Sequence, residues 1–229
     1  DLPALTALRE LSLASVGLSG PPLNEMVQVL GQVVPNLTSL DLSENDVGGS
    51  MSAAFAAFEH LTSLGLAGMR LTGALPKASA LPPKLEVLNL GPDGNREEKA
   101  GYAYNRLSGF DDSLGWGALP LTSLDLRACG LGEGLPASLP TSLRTLSLGG
   151  KSGGNAFNAA IPNEWGSLAD LRELFLANSH IQGRVPASFT GLKNLQVLDV
   201  RWNPKLEGVK QDKKVLAEAI PHCALKFKQ

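Results

Sequence analysis

The sequence predicts an α/β solenoid, in which one short strand per unit is laid beside the next into a parallel sheet, with 3-10 or helical segments behind it. Three observations carry that expectation. Leu-x-x-Leu-x-Leu recurs through the chain, with first leucines at Leu8, Leu37, Leu61, Leu85, Leu121, Leu143, Leu171 and Leu195. The successive spacings are 29, 24, 24, 36, 22, 28 and 24, and removing the 12 residues Asp93–Tyr104 from the fourth unit and the 4 residues Lys151–Gly154 from the sixth leaves 24 in each. Half of the units then carry asparagine soon after the last leucine, at Asn45, Asn105, Asn155 and Asn203. A period of this length marks stacked units, none of which can bury its apolar face alone.

Each part of the unit has a physical task. Alternation in Leu-x-x-Leu-x-Leu puts the leucines on one face of a strand, so neighbouring strands close over a shared leucine core. The asparagine is placed to bond backbone groups where the chain leaves the strand, and Cys129 and Ser179 occupy the same place in their units. That makes Cys129 a structural residue and not a reactive thiol. In the first unit Leu23, Met26, Val27, Leu30 and Val34 recur at helical spacing, which predicts a helix after Pro22. Residues 211–220 read as an amphipathic helix ended near Pro221, and Cys223–Phe227 as a last strand. The chain is thus read as one domain over residues 1–229, closed by a C-terminal cap over 211–229.

The second half of the unit is more specific. Leu71-Thr72-Gly73-Ala74-Leu75-Pro76, Gly134-Leu135-Pro136, Ala160-Ile161-Pro162 and Gly183-Arg184-Val185-Pro186 resemble the L-x-G-x-I-P segment of the plant-specific class of leucine-rich repeats. That class is found in receptor ectodomains, polygalacturonase-inhibiting proteins and surface proteins of protists and algae. The resemblance covers Leu8 to Gly208 and implies a right-handed leucine-rich-repeat horseshoe, the parallel sheet on its concave face and 3-10 or helical segments on its convex one. Two departures stand out. The paired-cysteine cap of secreted plant members is missing, and Leu2–Thr6 looks like the tail of an earlier unit. The expectation is therefore a processed or incomplete piece, or a chain whose N-terminal end is covered by a partner.

Composition excludes several functions. A net charge of −2 with 43% hydrophobic residues gives no electrostatic reason to expect nucleic acid or an anionic membrane as partner. No run of 18 apolar residues occurs, so no membrane span is expected. The two cysteines, Cys129 and Cys223, fall in distant units and predict no disulfide. His60, His180 and His222 lie in separate units without partners at metal-binding spacing, and no nucleophile elbow, P-loop or dinucleotide fingerprint is present. Asp41, Asp125 and Asp199 share one strand position and read as solvated residues of the concave face. No catalysis, metal or cofactor is assigned.

Recognition is the remaining function, and the residues between the leucines show where. In the first units these are small or acidic: Glu10, Ser12, Ser39, Asp41, Ser63 and Gly65. Later they become Arg127, Arg144, Arg172, Phe175, Asn178, Arg201 and Trp202. Arginine beside aromatics is the composition of interface hot spots, so Arg127, Arg144, Arg172, Phe175, Arg201 and Trp202 are the candidate protein-binding residues. The alternative is that Phe175 and Trp202 only pack on each other. The longer insertion ends in Tyr102 and Tyr104, which form a second candidate patch. Asn36-Leu37-Thr38 is an N-glycosylation sequon that fits an extracytosolic route, whether secretion, the cell surface or an organelle lumen. The leading expectation is a non-catalytic recognition or scaffold module for a partner protein. The alternatives are an accessory subunit of a larger complex and an inhibitor of a secreted hydrolase.

Overall fold

In a computed structural model, the residues described are 5–51, 53–92, 104–150 and 155–227. Nine three-residue strands form one parallel sheet in chain order: Glu10–Ser12, Ser39–Asp41, Ser63–Gly65, Val87–Asn89, Ser123–Asp125, Thr145–Ser147, Glu173–Phe175, Val197–Asp199 and Ala224–Lys226. Leu11, Leu40, Leu64, Leu88, Leu124, Leu146, Leu174, Leu198 and Leu225 align in register across them. From Leu40 to Leu198 this row is wholly buried, and each such leucine contributes about 1.5–3 kcal/mol of transfer free energy. The fold is a leucine-rich-repeat solenoid with a concave sheet and a convex side of 3-10 turns.

Two of the convex turns follow directly from prolines. Pro162 and Pro186 sit at φ −61° and −58° immediately before the 3-10 turns Asn163–Ser167 and Ala187–Gly191, since the ring presets the φ that the first turn needs. Phe55, Phe58, Phe110, Trp116, Phe157, Trp165 and Phe189 fill the space between these turns and the leucine rows. Trp116 is a core residue whose Nε1 donates to the Pro76 carbonyl at 2.8 Å, and Trp165 repeats the arrangement on Pro136 at 2.9 Å. Among the described residues the α-helices are the first and last convex segments, α1 (Leu23–Val33) and α2 (Val209–Ala219).

The asparagine ladder couples the units in twos. Asn105 Oδ1 accepts from the backbone N–H groups of Met69 and Leu71 in unit three, and its Nδ2 donates to Leu66 and Leu90 carbonyls. Asn155 does the same on Cys129 and Leu131, with Leu126 and Leu148, and Asn203 on Ser179 and Ile181, with Leu176 and Val200. The odd units place Val16, Met69, Cys129 and Ser179 at the corresponding position. The strand and bridge pairings behind the main sheet follow the same grouping: Thr72–Ala74 with Arg106–Ser108, Gly132 with Ala156, and Gln182–Gly183 with Lys205–Leu206. Single backbone bonds, such as Thr72 N–H to the Gly49 carbonyl and Phe157 N–H to the Ser179 carbonyl, cross from one group to the next.

The first unit is less covered than the rest. Leu8, Leu11 and Leu13 are only partly buried although they match the fully buried Leu37, Leu40 and Leu42. Leu5, Val16 and Val29 are 54%, 58% and 56% exposed.

Candidate functional site

Side chains of a strand alternate between faces, so the residues between the leucines all project from the concave sheet. At the C-terminal end of that sheet they surround a depression of about 390 Å³. Its wall includes Arg127, Phe175, Arg201 and Trp202. Arg144 and Arg172 are exposed but lie one residue before their strands and do not line it. Tyr104 is half-buried beside the ladder residue Asn105, and Tyr102 lies outside the described residues. Asn36 is half-buried in the turn before the second strand, where its Nδ2 donates to the Thr6 carbonyl at 2.9 Å.

The arginines of the depression are already paired. Arg127 grips Asp125, Nε to Oδ1 at 3.0 Å and Nη2 to Oδ2 at 2.7 Å, and Nη2 also donates to the Pro92 carbonyl at 2.8 Å. Arg201 grips Asp199 likewise, at 2.9 and 2.6 Å. Each pair is closed by the backbone N–H of the arginine on the same carboxylate. The expectation of solvated aspartates is corrected for Asp199, which is only 4% exposed, while Asp41 and Asp125 remain partly exposed. A carboxylate two residues before an arginine on one strand face meets the guanidinium directly and can be buried as a neutral pair. The hydrogen bond to Asp199 raises the Arg201 pKa further, against the opposing effect of burial. Asp125 and Asp199 stand three strands apart, about 14 Å at the usual strand spacing, too far for a shared catalytic step.

The paired guanidinium of Arg201 lies over the Trp202 ring, 4.6 Å from its centroid. Trp202 stays 42% exposed and makes no ring pair with Phe175, so the two aromatics do not simply cover each other. The Arg201 contact instead holds the indole at the rim. The floor was not singled out from the sequence. Thr145, Ser147, Gly149, Glu173 and Lys226 all line the depression, and Thr145 Oγ1 donates to Glu173 Oε2 at 3.3 Å. Gly149 carried a visible signal in its column: a Cβ there would collide with the backbone of Ala177. Lys226 did not, because its strand lacks the leucine pattern. The site is therefore an aromatic and charge-paired wall above a small polar floor.

Nothing else in the described residues competes as chemistry. Among them no group of three or more His, Cys, Asp or Glu could hold a metal ion. His60, His180 and His222 are exposed. Burial, with the Asp125 charge added, pushes the Cys129 thiol well up, and burial raises Cys223 too, so neither is a thiolate nucleophile at neutral pH. No helix among the described residues is long and apolar enough to cross a membrane.

The fold and the site define a class: a solenoid whose regular leucine rows support a concave surface that differs between its two ends. The chain is a leucine-rich repeat protein that resembles the plant type. A family model described as Leucine Rich repeat matches residues 35–50. No curated protein matches the chain in sequence. Among solved structures it is similar to the Arabidopsis receptor kinase HAESA, solved with the peptide hormone IDA and the co-receptor SERK1, at 27% identity and a TM-score of 0.71 over 97% of this chain and 34% of that one. It is similar to the plant peptide hormone receptor RGFR1, solved with RGF2, at 26% identity and 0.71, over 98% and 33%. A third is the ectodomain of GASSHO1/SCHENGEN3 from Arabidopsis thaliana, solved with CASPARIAN STRIP INTEGRITY FACTOR 2, at 28% and 0.67, over 86% and 21%. The chain thus spans about a third or less of each.

Proposed function

We propose that this chain is a protein-recognition module that holds an extended segment of a partner in the concave depression between Phe175 and Trp202. One observation carries the reading: Trp202 is fixed at the rim by Arg201 while remaining 42% exposed, and the leucine core requires no such residue. The depression's volume of about 390 Å³ lies in the range of sites that enclose small groups, which suits one or a few side chains more than a folded domain. Peptide ligands in the structures of HAESA and RGFR1 support this class of partner. The ectodomain of GASSHO1/SCHENGEN3 supports an extracytosolic location. The pairing of Arg127 and Arg201 with aspartates points to contact through aromatic surface and hydrogen bonds, with no strong demand for an acidic ligand.

Replacing Phe175 and Trp202 together by Ala should weaken binding of the partner captured from native extract by about 100-fold, as loss of two hot-spot residues does. The urea midpoint should stay near that of the parent chain, since both side chains are partly exposed. Unchanged affinity in the folded variant would overturn the assignment.

A second reading rests on a different surface. The exposed Leu5, Val16 and Val29, with the partly covered Leu8, Leu11 and Leu13, form an apolar face of the kind that marks protein contact. On this reading the first unit packs against another subunit. Light scattering on native material should then give a mass above 24.0 kDa, whereas a stable monomer would count against it.

A further inference from the structure

A second cavity lies away from the concave sheet, between the 3-10 turns of units six and seven and α2, with a volume of about 600 Å³. Units three, five, six and seven run into Pro76, Pro136, Pro162 and Pro186, but unit eight reads Leu206-Glu207-Gly208-Val209-Lys210. Here the chain continues as α2, whereas units two and four, which also lack the proline, form the 3-10 turns Ala53–Ala57 and Asp112–Leu114. A helix about 10 Å across stands where a slimmer 3-10 turn would have packed.

The walls are apolar. Ile161, Val185 and Leu216 form buried lining, while Val215 is left 39% exposed on the helix. A charged group is built into the same lining. Arg184 donates from Nε at 3.4 Å and from Nη2 to the Asp212 carboxylate, which is 8% exposed and also accepts the Val185 N–H at 3.3 Å. Gly208, at φ +60°, makes room for this guanidinium, because a Cβ there would stand 2.6 Å from Arg184 Nε. Both Asp212 oxygens are thus engaged, whereas Arg184 Nη1 makes no hydrogen bond among the described residues. The charged residues lining the cavity are Arg184 and Asp212, and Glu207 also acts on the guanidinium, so a carboxylate would be held by the hydrogen bond to Nη1 and not by net charge.

We propose that this cavity binds a small apolar carboxylic acid, with its carboxylate on the Nη1 edge of Arg184 and its hydrocarbon against Ile161, Val185, Val215 and Leu216. A mostly apolar cavity with a few converging polar groups is the usual form of a small-molecule site. The guanidinium is oriented in advance by a buried carboxylate, which lowers the ordering cost of a charged contact. The site is separate from the concave depression and does not depend on it.

Titration calorimetry with octanoate, and with octanol as the uncharged counterpart, tests the assignment. Octanoate should bind with one-to-one stoichiometry and at least about tenfold more tightly than octanol, in keeping with a charge-assisted hydrogen bond. Arg184→Gln should remove that preference while leaving octanol binding intact. Val215→Trp, at an exposed helix position that leaves the core untouched, should fill the cavity and abolish both. Equal affinity for the two ligands, an Arg184→Gln variant that keeps the preference for octanoate, or no binding of octanoate at millimolar concentration would each overturn the proposal.

Discussion

Asn155→Ala should lower the free energy of unfolding by on the order of 4 kcal/mol. The side chain is fully buried and makes four backbone hydrogen bonds, accepting from Cys129 and Leu131 and donating to the carbonyls of Leu126 and Leu148 at 2.8 and 2.7 Å. Alanine leaves these groups dry and short of partners, at about 1–3 kcal/mol for each group not rescued. The Leu148 carbonyl still accepts from Ser179 Oγ at 3.3 Å, so the four losses do not add in full. Urea unfolding followed by circular dichroism measures the change. A control fixes the cause: Ser179→Ala removes only two long bonds, to Leu148 and Ala177 at 3.3 Å, and should cost under about 1 kcal/mol. Near-equal losses in the two variants would show that the ladder bonds are not what couples units five and six.

Trp165→Ala should be of similar size for a different reason. The indole is wholly buried behind unit six, and truncating a buried tryptophan costs about 3–5 kcal/mol through lost transfer energy and the cavity left behind. Trp165→Phe separates the contributions. It keeps most of the packing but strands the Pro136 carbonyl, which accepts Nε1 at 2.9 Å, and should cost about 1–2 kcal/mol. If the phenylalanine variant unfolds at the same urea concentration as the alanine variant, the hydrogen bond and not the packing dominates.

Much of the architecture was legible before any coordinates. The leucine spacing, the ladder asparagines and the recurrent glycine-proline segment each impose a local requirement, and all three agree on one fold. The coupling of units in twos was also written in the chain, as the alternation of Val16, Met69, Cys129 and Ser179 with Asn45, Asn105, Asn155 and Asn203. The Asp125–Arg127 and Asp199–Arg201 pairs were legible in principle, since positions two apart share a strand face. Arg127 and Arg201 nevertheless read as open interface charges, because sequence shows which face a side chain occupies and not whether its charge is satisfied.

The site divides along the same line. Phe175 and Trp202 stood out as residues that a leucine array does not need. The floor beneath them comes from three strands, with Gly149 and Lys226 separated by 77 positions, and no local pattern joins them. The cavity beside α2 is still further from sequence reading: Ile161, Arg184 and Asp212 belong to three successive units and meet only because the last convex segment is a helix of a different width.

The sequence by itself determined the solenoid, its period and the polarity of its concave face, because these follow from repeated contacts between each unit and its neighbour. Only the tertiary structure decided which charges are already spent, where the sheet is hollow and which apolar surfaces remain uncovered. The hollows and uncovered surfaces depend on side chains one or more full turns of the solenoid apart, and the charge pairs, though only two residues apart, depend on how each guanidinium is folded back; packing sets both, not spacing along the chain.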